Sequence, residues 1–488
     1  MFDPDELELH DIQGLVVRGF GALASARFLV LEVADEARAR AYLRERCGRI
    51  NRARDTPGEV ALQVAFTAAG LERLGVPASA LITFAREFLE GMDDDVRSAG
   101  LGDRGDNDPS TWQWGQRTEP VHALLMIYAA DEPTLEIALA AELDGMAGGF
   151  RVLHHKPTAR LNDLKEHFGW RDGLSMPKIA GVKLEQRPRK KRESWTGPIP
   201  AGEFVLGYRN DYGAFTESPT VEPADDPDDH LALDRDGRRK SLGRNGTYLV
   251  FREMTQHVVA FWDYLERQSR EPGSDPVSRA IALGAKMVGR WPGGAPLVES
   301  PDEDLPGLSH RNEFRYEGDR IGLRCPPGAH IRRSNPRDAL AVADRGHATS
   351  ILMVRKHQMI RRGRPFGRPI SEAMDPREIL AARGAPDGEH RGLHFICLVG
   401  NISRQFEFVQ RSWIDSANFD SMYRDGDPIA AARRPAGHPN ANDEMTCPAE
   451  PVRRRYTRMP QFTRLVGGAY FFLPGIAALR FISRHPPP

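Results

Sequence analysis

The chain has 488 residues, 40% of them hydrophobic and 28% charged, which is the balance of a soluble globular protein of two or three domains. Lys+Arg number 67 and Asp+Glu 68, a near cancellation that argues against nucleic acid or an anionic membrane as the main partner. Cys47, Cys325, Cys397 and Cys447 lie far apart and form no CxxC pair, which argues against a zinc site or a disulfide framework and for a reducing compartment. Met1 to His10 is acidic and polar with no export signal, so a cytoplasmic location is expected.

Taken in order, Phe28 to Val33 (FLVLEV) reads as a mostly buried strand, and Asp35 to Ile50 as an amphipathic helix. Val60 to Phe66 is a second strand, and Thr67 caps a helix that ends near Gly75 and Pro77. Val121 to Tyr128 is a third strand, Thr134 to Met146 a helix and Phe150 to His155 a fourth strand. Strand–helix–strand–strand–helix–strand is the order of a ferredoxin-like α+β unit.

The second half repeats that order with large insertions. Gly246 to Arg252 is a strand, Gln256 to Arg270 a helix, His394 to Val399 a strand, Arg404 to Asp415 a helix and Gly468 to Leu473 the last strand. The strand that pairs with this last one is placed near Met459 to Leu465. The expectation is two ferredoxin-like units with antiparallel sheets, 1–163 and 164–488. The apolar run Val466 to Ile482 is broken by Pro474, Gly475 and Arg480, so it reads as a core strand and helix rather than a membrane span.

Three other stretches resolve to loops. Arg187 to Arg192 is basic and Asp225 to Asp229 acidic, and both read as solvated segments rather than as nucleic-acid or calcium sites. Gly100 to Gly105 matches GxGxxG literally. The dinucleotide fingerprint needs a strand before it and a helix after it, whereas here an acidic helical segment precedes and turn residues follow.

Three segments carry chemistry. His167 to Pro177 (HFGWRDGLSMP) is a tight glycine-bounded loop around Asp172. Cys325 to Asp338 (CPPGAHIRRSNPRD) sets His330 among cationic and hydrogen-bonding side chains. Met359 to Gly367 (MIRRGRPFG) leads with Arg361 and Arg362. Each alone has an ordinary structural explanation; their combination in this order does not.

GWRDG resembles the GxxDG motif of the dye-decolourising peroxidases, and CPPGAHIRRSNPRD resembles their proximal-histidine segment. Asp11 to Gly14, Ala65 to Thr67 with Gly70 and Leu71, Arg244 to Phe251 and Gln405 to Gln410 are similar to further landmarks of that family, so the resemblance covers nearly the whole chain. It implies haem b in the C-terminal unit with His330 as the iron ligand, the ligation of globins and peroxidases. The absence of CxxCH excludes the usual covalent haem attachment.

The resemblance further implies that Glu407 accepts the other imidazole N–H, making the ring more basic. Asp172 would move the peroxide proton and Arg361 stabilise charge as O–O breaks, with Arg362 as the adjacent alternative. Arg337 resembles the haem-propionate contact, Asn335 is placed at the haem edge, and Gly173, Leu174 and Ser175 are expected against the porphyrin. Gly363 and Met176 depart from the family pattern, Gly363 standing where some relatives carry a distal Asn. Cys325 as a thiolate ligand is the weaker alternative to His330.

The implied activity is reduction of hydrogen peroxide with one-electron oxidation of phenolic or anthraquinone-like dyes. Seven Trp and ten Tyr are available to relay electrons from bulky donors. The alternatives are a haem carrier or store, and an enzyme that extracts iron from haem.

Overall fold

The computed structural model describes residues 6–484 apart from 183–194, 341–345, 385–387 and 435–436, so the basic run Arg187–Arg192 lies outside the described residues. In the first unit β1 (Ser25–Val33) is followed by α1 (Glu36–Arg46), whose first turn is capped by the Asp35 side chain on the Arg38 N–H. β2 (Val60–Phe66) leads into α2 (Ala68–Arg73), capped by Thr67 as expected. β3 (Ala123–Ala129), α3 (Glu132–Gly145) and β4 (Phe150–Pro157) complete the unit. Its strands lie in the order β2-β3-β1-β4, all antiparallel.

The second unit begins with β5 (Thr247–Gln256), α4 (Val258–Gln268) and α5 (Pro276–Val288). The short α6 (His330–Ser334), β6 (Ile360–Arg361), β7 (Arg364–Phe366) and β8 (Gly392–Val399) follow, and β9 (Thr463–Leu473) and α7 (Ile476–Ser483) end the chain. The order β6-β8-β5-β9, with β7 also on β8, matches that of the first unit. The missing strand is therefore the broken pair β6–β7. Residues 463–465 belong instead to β9, which runs on through a bulge between Leu465 and Gly467. Phe472 of β9 pairs with Phe66 of β2 and joins both halves into one nine-stranded sheet.

The helix expected at 404–415 is present, but with π-type bonds. The Glu407 N–H reaches the Ile402 carbonyl at 3.0 Å and the Asp415 N–H reaches Gln410 at 2.9 Å, five residues back each time. Gly100–Gly105 is preceded by a helix (Asp95–Gly100) and followed by a 3-10 turn, with no strand before it.

The chain ends cross between units. Asp11 accepts the N–H groups of Ile476 and Ala477 at the start of α7 (2.8 Å each), and Arg40 of α1 donates to the Arg484 carbonyl at 3.0 Å. Among the described residues no helix is long and apolar enough to cross a membrane.

Candidate active site

Strand alternation decides which side chains of the second unit meet a cavity of about 290 Å³. Arg252, Met254 and Gln256 of β5 and Leu393 and Phe395 of β8 line it. Phe251 and Glu253 point to the other face, where Glu253 pairs with Lys156 at 2.7 Å and accepts the Trp114 indole N–H at 2.6 Å. The same period separates the adjacent arginines of β6. Arg361 faces the cavity; Arg362 faces away and donates to the carbonyls of Leu15 (2.6 Å) and Val16 (2.8 Å).

Arg361 meets the aspartate loop. Its Nη1 lies 3.3 Å from Asp172 Oδ1 and its Nη2 donates to the Ser175 carbonyl at 3.2 Å. Gly173 sits at φ +72°, the left-handed region open to glycine, and its N–H donates to Asp172 Oδ1 at 2.6 Å. Gly173, Leu174 and Ser175 line the cavity. The loop folds around Glu166, whose carboxylate accepts the N–H groups of Phe168 (2.9 Å) and Trp170 (3.0 Å) and the Gln256 amide (2.6 Å). Burial pushes the Glu166 carboxyl up to about 7 against those hydrogen bonds.

His330 opens α6 and lines the same cavity. Its Nδ1 lies 2.9 Å from Oδ2 of the fully buried Asp427, which leaves Nε2 as the ring nitrogen available to a metal. Asp427 is itself fixed, its Oδ1 accepting the N–H groups of Ile429 (2.9 Å) and Ala430 (2.8 Å). Burial alone would depress the imidazole and raise the carboxyl. Their mutual charge and hydrogen bond reverse both, holding His330 above and Asp427 below the ordinary values.

Asp427 therefore occupies the place expected for Glu407, and that expectation is corrected. The wide turns of helix 403–414 put Phe406, Val409, Gln410 and Ile414 on the cavity wall. Glu407 is directed away, accepting from Arg97 (2.9 and 3.0 Å) and from the Tyr470 hydroxyl (2.9 Å). The signal for Asp427 was an Asp-Pro step whose carboxylate caps the following turn, a local motif with no hint of a partner 97 residues away.

Arg337 and Asn335 line the cavity. Arg337 donates to the carbonyls of Asn312 (2.8 Å) and Phe314 (2.6 Å) and to the Asn312 side chain (2.7 Å). Arg290, which sequence reasoning missed, also lines it and donates to the carbonyls of Gly294 and Arg311, each at 2.8 Å. Burial lowers both guanidiniums to about 10, yet they remain cationic at neutral pH. Asn335 Oδ1 accepts from Gln358 at 3.2 Å. Cys325 is buried in a separate cluster and is not among the residues that line the cavity. A Cβ on Gly363 would stand 2.4 Å from the His394 carbonyl oxygen, so no asparagine fits there without moving β8.

The cavity is thus edged by a histidine–carboxylate pair and an aspartate–arginine pair, on a sheet shared by two ferredoxin-like units. No protein-family profile matches the chain. It is 30% identical over 503 residues to the multifunctional dye peroxidase DyP2 of an Amycolatopsis species, covering 98% of this chain and 94% of that protein. It is 26% identical over 439 residues to the dye-decolorizing peroxidase msp1 of Mycetinis scorodonius, covering 86% and 76%. Among solved structures, an ancestral D-type dye-decolorizing peroxidase matches with a TM-score of 0.75 at 25% identity, over 97% of this chain and 99% of that one. A dye-decolorizing peroxidase in complex with 2,6-dimethoxyphenol matches with a TM-score of 0.73 at 25% identity, over 98% and 100%. The chain belongs to the dye-decolourising peroxidase family.

Proposed function

We propose that the chain is a haem b peroxidase that reduces hydrogen peroxide and oxidises small aromatic donors, phenols and anthraquinone-like dyes among them, by one-electron steps. The observation that carries this reading is that the Asp172–Arg361 pair and the His330–Asp427 pair share one cavity. A phenol bound to a solved relative supports the donor class.

The residues present fit haem. His330 keeps Nε2 for iron, and Asp427 behind it makes the ring a stronger donor and fixes its tautomer. Arg337 and Arg290 are buried cations whose hydrogen bonds, given above, go to neutral oxygens, so they suit the two propionates. The walls are otherwise largely apolar, with Leu174, Met254, Phe395 and Phe406 among them. When bound, the haem would supply the redox chemistry.

The protein supplies the rest. Asp172 takes the proton from one peroxide oxygen and returns it to the other, directly or through one water. Arg361 stabilises the negative charge that grows on the leaving oxygen, worth about 3 kcal/mol of barrier for a single preorganised donor. A haem carrier needs neither group, and for that reason we place carriage and iron extraction behind peroxidase turnover. We set the unit boundary after residue 163, and we infer a cytoplasmic setting from four buried, unpaired cysteines.

The test is to load the purified protein with haemin, record its spectrum before and after one equivalent of peroxide, and follow dye oxidation with peroxide in excess. A Soret band, its change with peroxide and steady turnover are expected, with the band lost in His330→Ala. A band that survives His330→Ala removes the ligand assignment, and release of free protoporphyrin in place of turnover removes the peroxidase reading.

A further inference from the structure

One acid in the cavity wall takes no part in the mechanism above. Glu166 precedes Asp172 on the same loop and lines the cavity. Its three donors, the two backbone N–H groups and Gln256 Nε2, satisfy it as a carboxylate. As a neutral acid it would instead need an acceptor for its O–H. One is at hand: Gln256 is 8% exposed, and its Oε1 has no hydrogen-bond partner. A half-turn of the Gln256 amide exchanges Nε2 for Oε1. The charged acid is then served by one orientation of the amide and the neutral acid by the other.

We propose that Glu166, backed by Gln256, is a second acid–base group of the peroxide site, holding a proton in the resting protein and delivering it to the cavity during turnover. The proposal rests on the peroxidase reading. Reduction of hydrogen peroxide to two waters consumes two electrons, which the aromatic donors supply one at a time, and two protons. Asp172 shifts a proton already on peroxide from one oxygen to the other and adds none. Glu166 supplies one of the two and the oxidised phenolic donor releases the other: the Glu166 O–H bond breaks, its proton goes to the second peroxide oxygen as the donors reduce it to water, and the Gln256 amide turns back to donate to the carboxylate. Solvent reloads it through the cavity.

Two observations agree. Burial, with the charge of Asp172 adding to it, lifts Glu166 to about 7, so both forms are populated near neutrality. The other charged groups around the cavity already have partners. Arg171 of the same loop pairs with Asp163 (2.7 Å), Arg252 of β5 with Asp103, Arg361 of β6 with Asp172, and His330 of α6 with Asp427; Arg290, after α5, is held by carbonyls.

Infrared difference spectra of the haem-loaded protein at about pH 6 and about pH 8, on either side of that ionisation, test the proposal. A neutral-carboxyl C=O band present at the lower pH, gone at the higher and absent from Glu166→Gln at both is expected. Glu166→Gln should also lose the near-neutral limb of the pH profile for donor oxidation at saturating peroxide and slow that turnover at about pH 6 by about tenfold or more. No pH-dependent band, or a Glu166→Gln profile superimposable on that of the unaltered protein, overturns the proposal and leaves the peroxidase reading intact. A haem-loaded protein inert to peroxide at every pH overturns both. Should Glu166→Gln fail to fold, Gln256→Leu carries the test: losing the donor to the charged form should move the band's titration to higher pH, and an unmoved titration overturns the proposal.

Discussion

The two halves share one topology and one sheet, yet the same sheet face is filled in one half and open in the other. In the first half α1 and α3 close onto it, Leu43, Leu135 and Leu139 meeting Leu29, Leu31, Leu125 and Ile127 in one buried cluster. In the second half α4 has moved off the sheet. Its Phe261, Trp262 and Leu265 pack instead with Phe168 and Trp170 of the aspartate loop and with Leu283 of α5. Helix 403–414 touches the sheet through Phe406 and then turns Val409 and Trp413 toward Val354 and Phe419. β5 is left presenting Arg252, Met254 and Gln256 to a cavity. The site arises where the covering helices pack elsewhere, with the strand order unchanged.

The open half should be the chemically sensitive one. Asp172→Asn is expected to slow the reaction with peroxide by about 10²–10⁴-fold, the range for a lost proton-transfer group. Arg361→Leu should slow it by about 10²–10³-fold, the range for one lost charge-stabilising donor. Both should keep the Soret band, and stopped-flow absorbance at varied peroxide reads both. If each variant reacts as the unaltered protein does, peroxide is handled elsewhere. The filled half should be the mechanically sensitive one. Leu125→Ala removes a fully packed side chain and should cost about 2–5 kcal/mol in a urea titration. Met254→Ala, which faces the cavity, should cost under about 1 kcal/mol. Equal costs would erase the distinction between the halves.

The filled half was also the more legible in sequence. β2 and β3 are largely apolar strands of ordinary length, β1 carries an apolar run from Phe28 to Leu31, and Asp35 and Thr67 cap their helices as side-chain chemistry predicts. In the open half β6 and β7 escaped notice, because Gly363, Pro365 and the arginines at 361, 362 and 364 interrupt any apolar alternation. The motif residues Asp172, His330 and Arg361 were legible by resemblance. Once a strand was found there, alternation alone separated Arg361 from Arg362. Asp427 was not legible, since a partner far along the chain leaves no periodic trace. Glu407 was carried over by resemblance, and the π turns of its helix direct it to Arg97 and Tyr470 instead.

The smaller effects test that correction directly. Asp427→Asn keeps the shape but removes the charge that makes His330 a strong donor, and should cost about 10–100-fold in haem affinity or activity. Glu407→Gln sits at the seam between the halves, where helix 403–414 leaves the filled face. It removes the negative charge facing Arg97 and one of the two oxygens shared by Arg97 and Tyr470, both well buried, so about 1–2 kcal/mol of stability should go. The Soret band and the peroxide rate should stay within about twofold, because no bond joins Glu407 to His330 and a twofold change is only about 0.4 kcal/mol. The two variants are informative as a pair. If Glu407→Gln perturbs the haem spectrum as strongly as Asp427→Asn does, the imidazole draws on both acids, and the division between a packed support and an open reactive chamber fails at that helix.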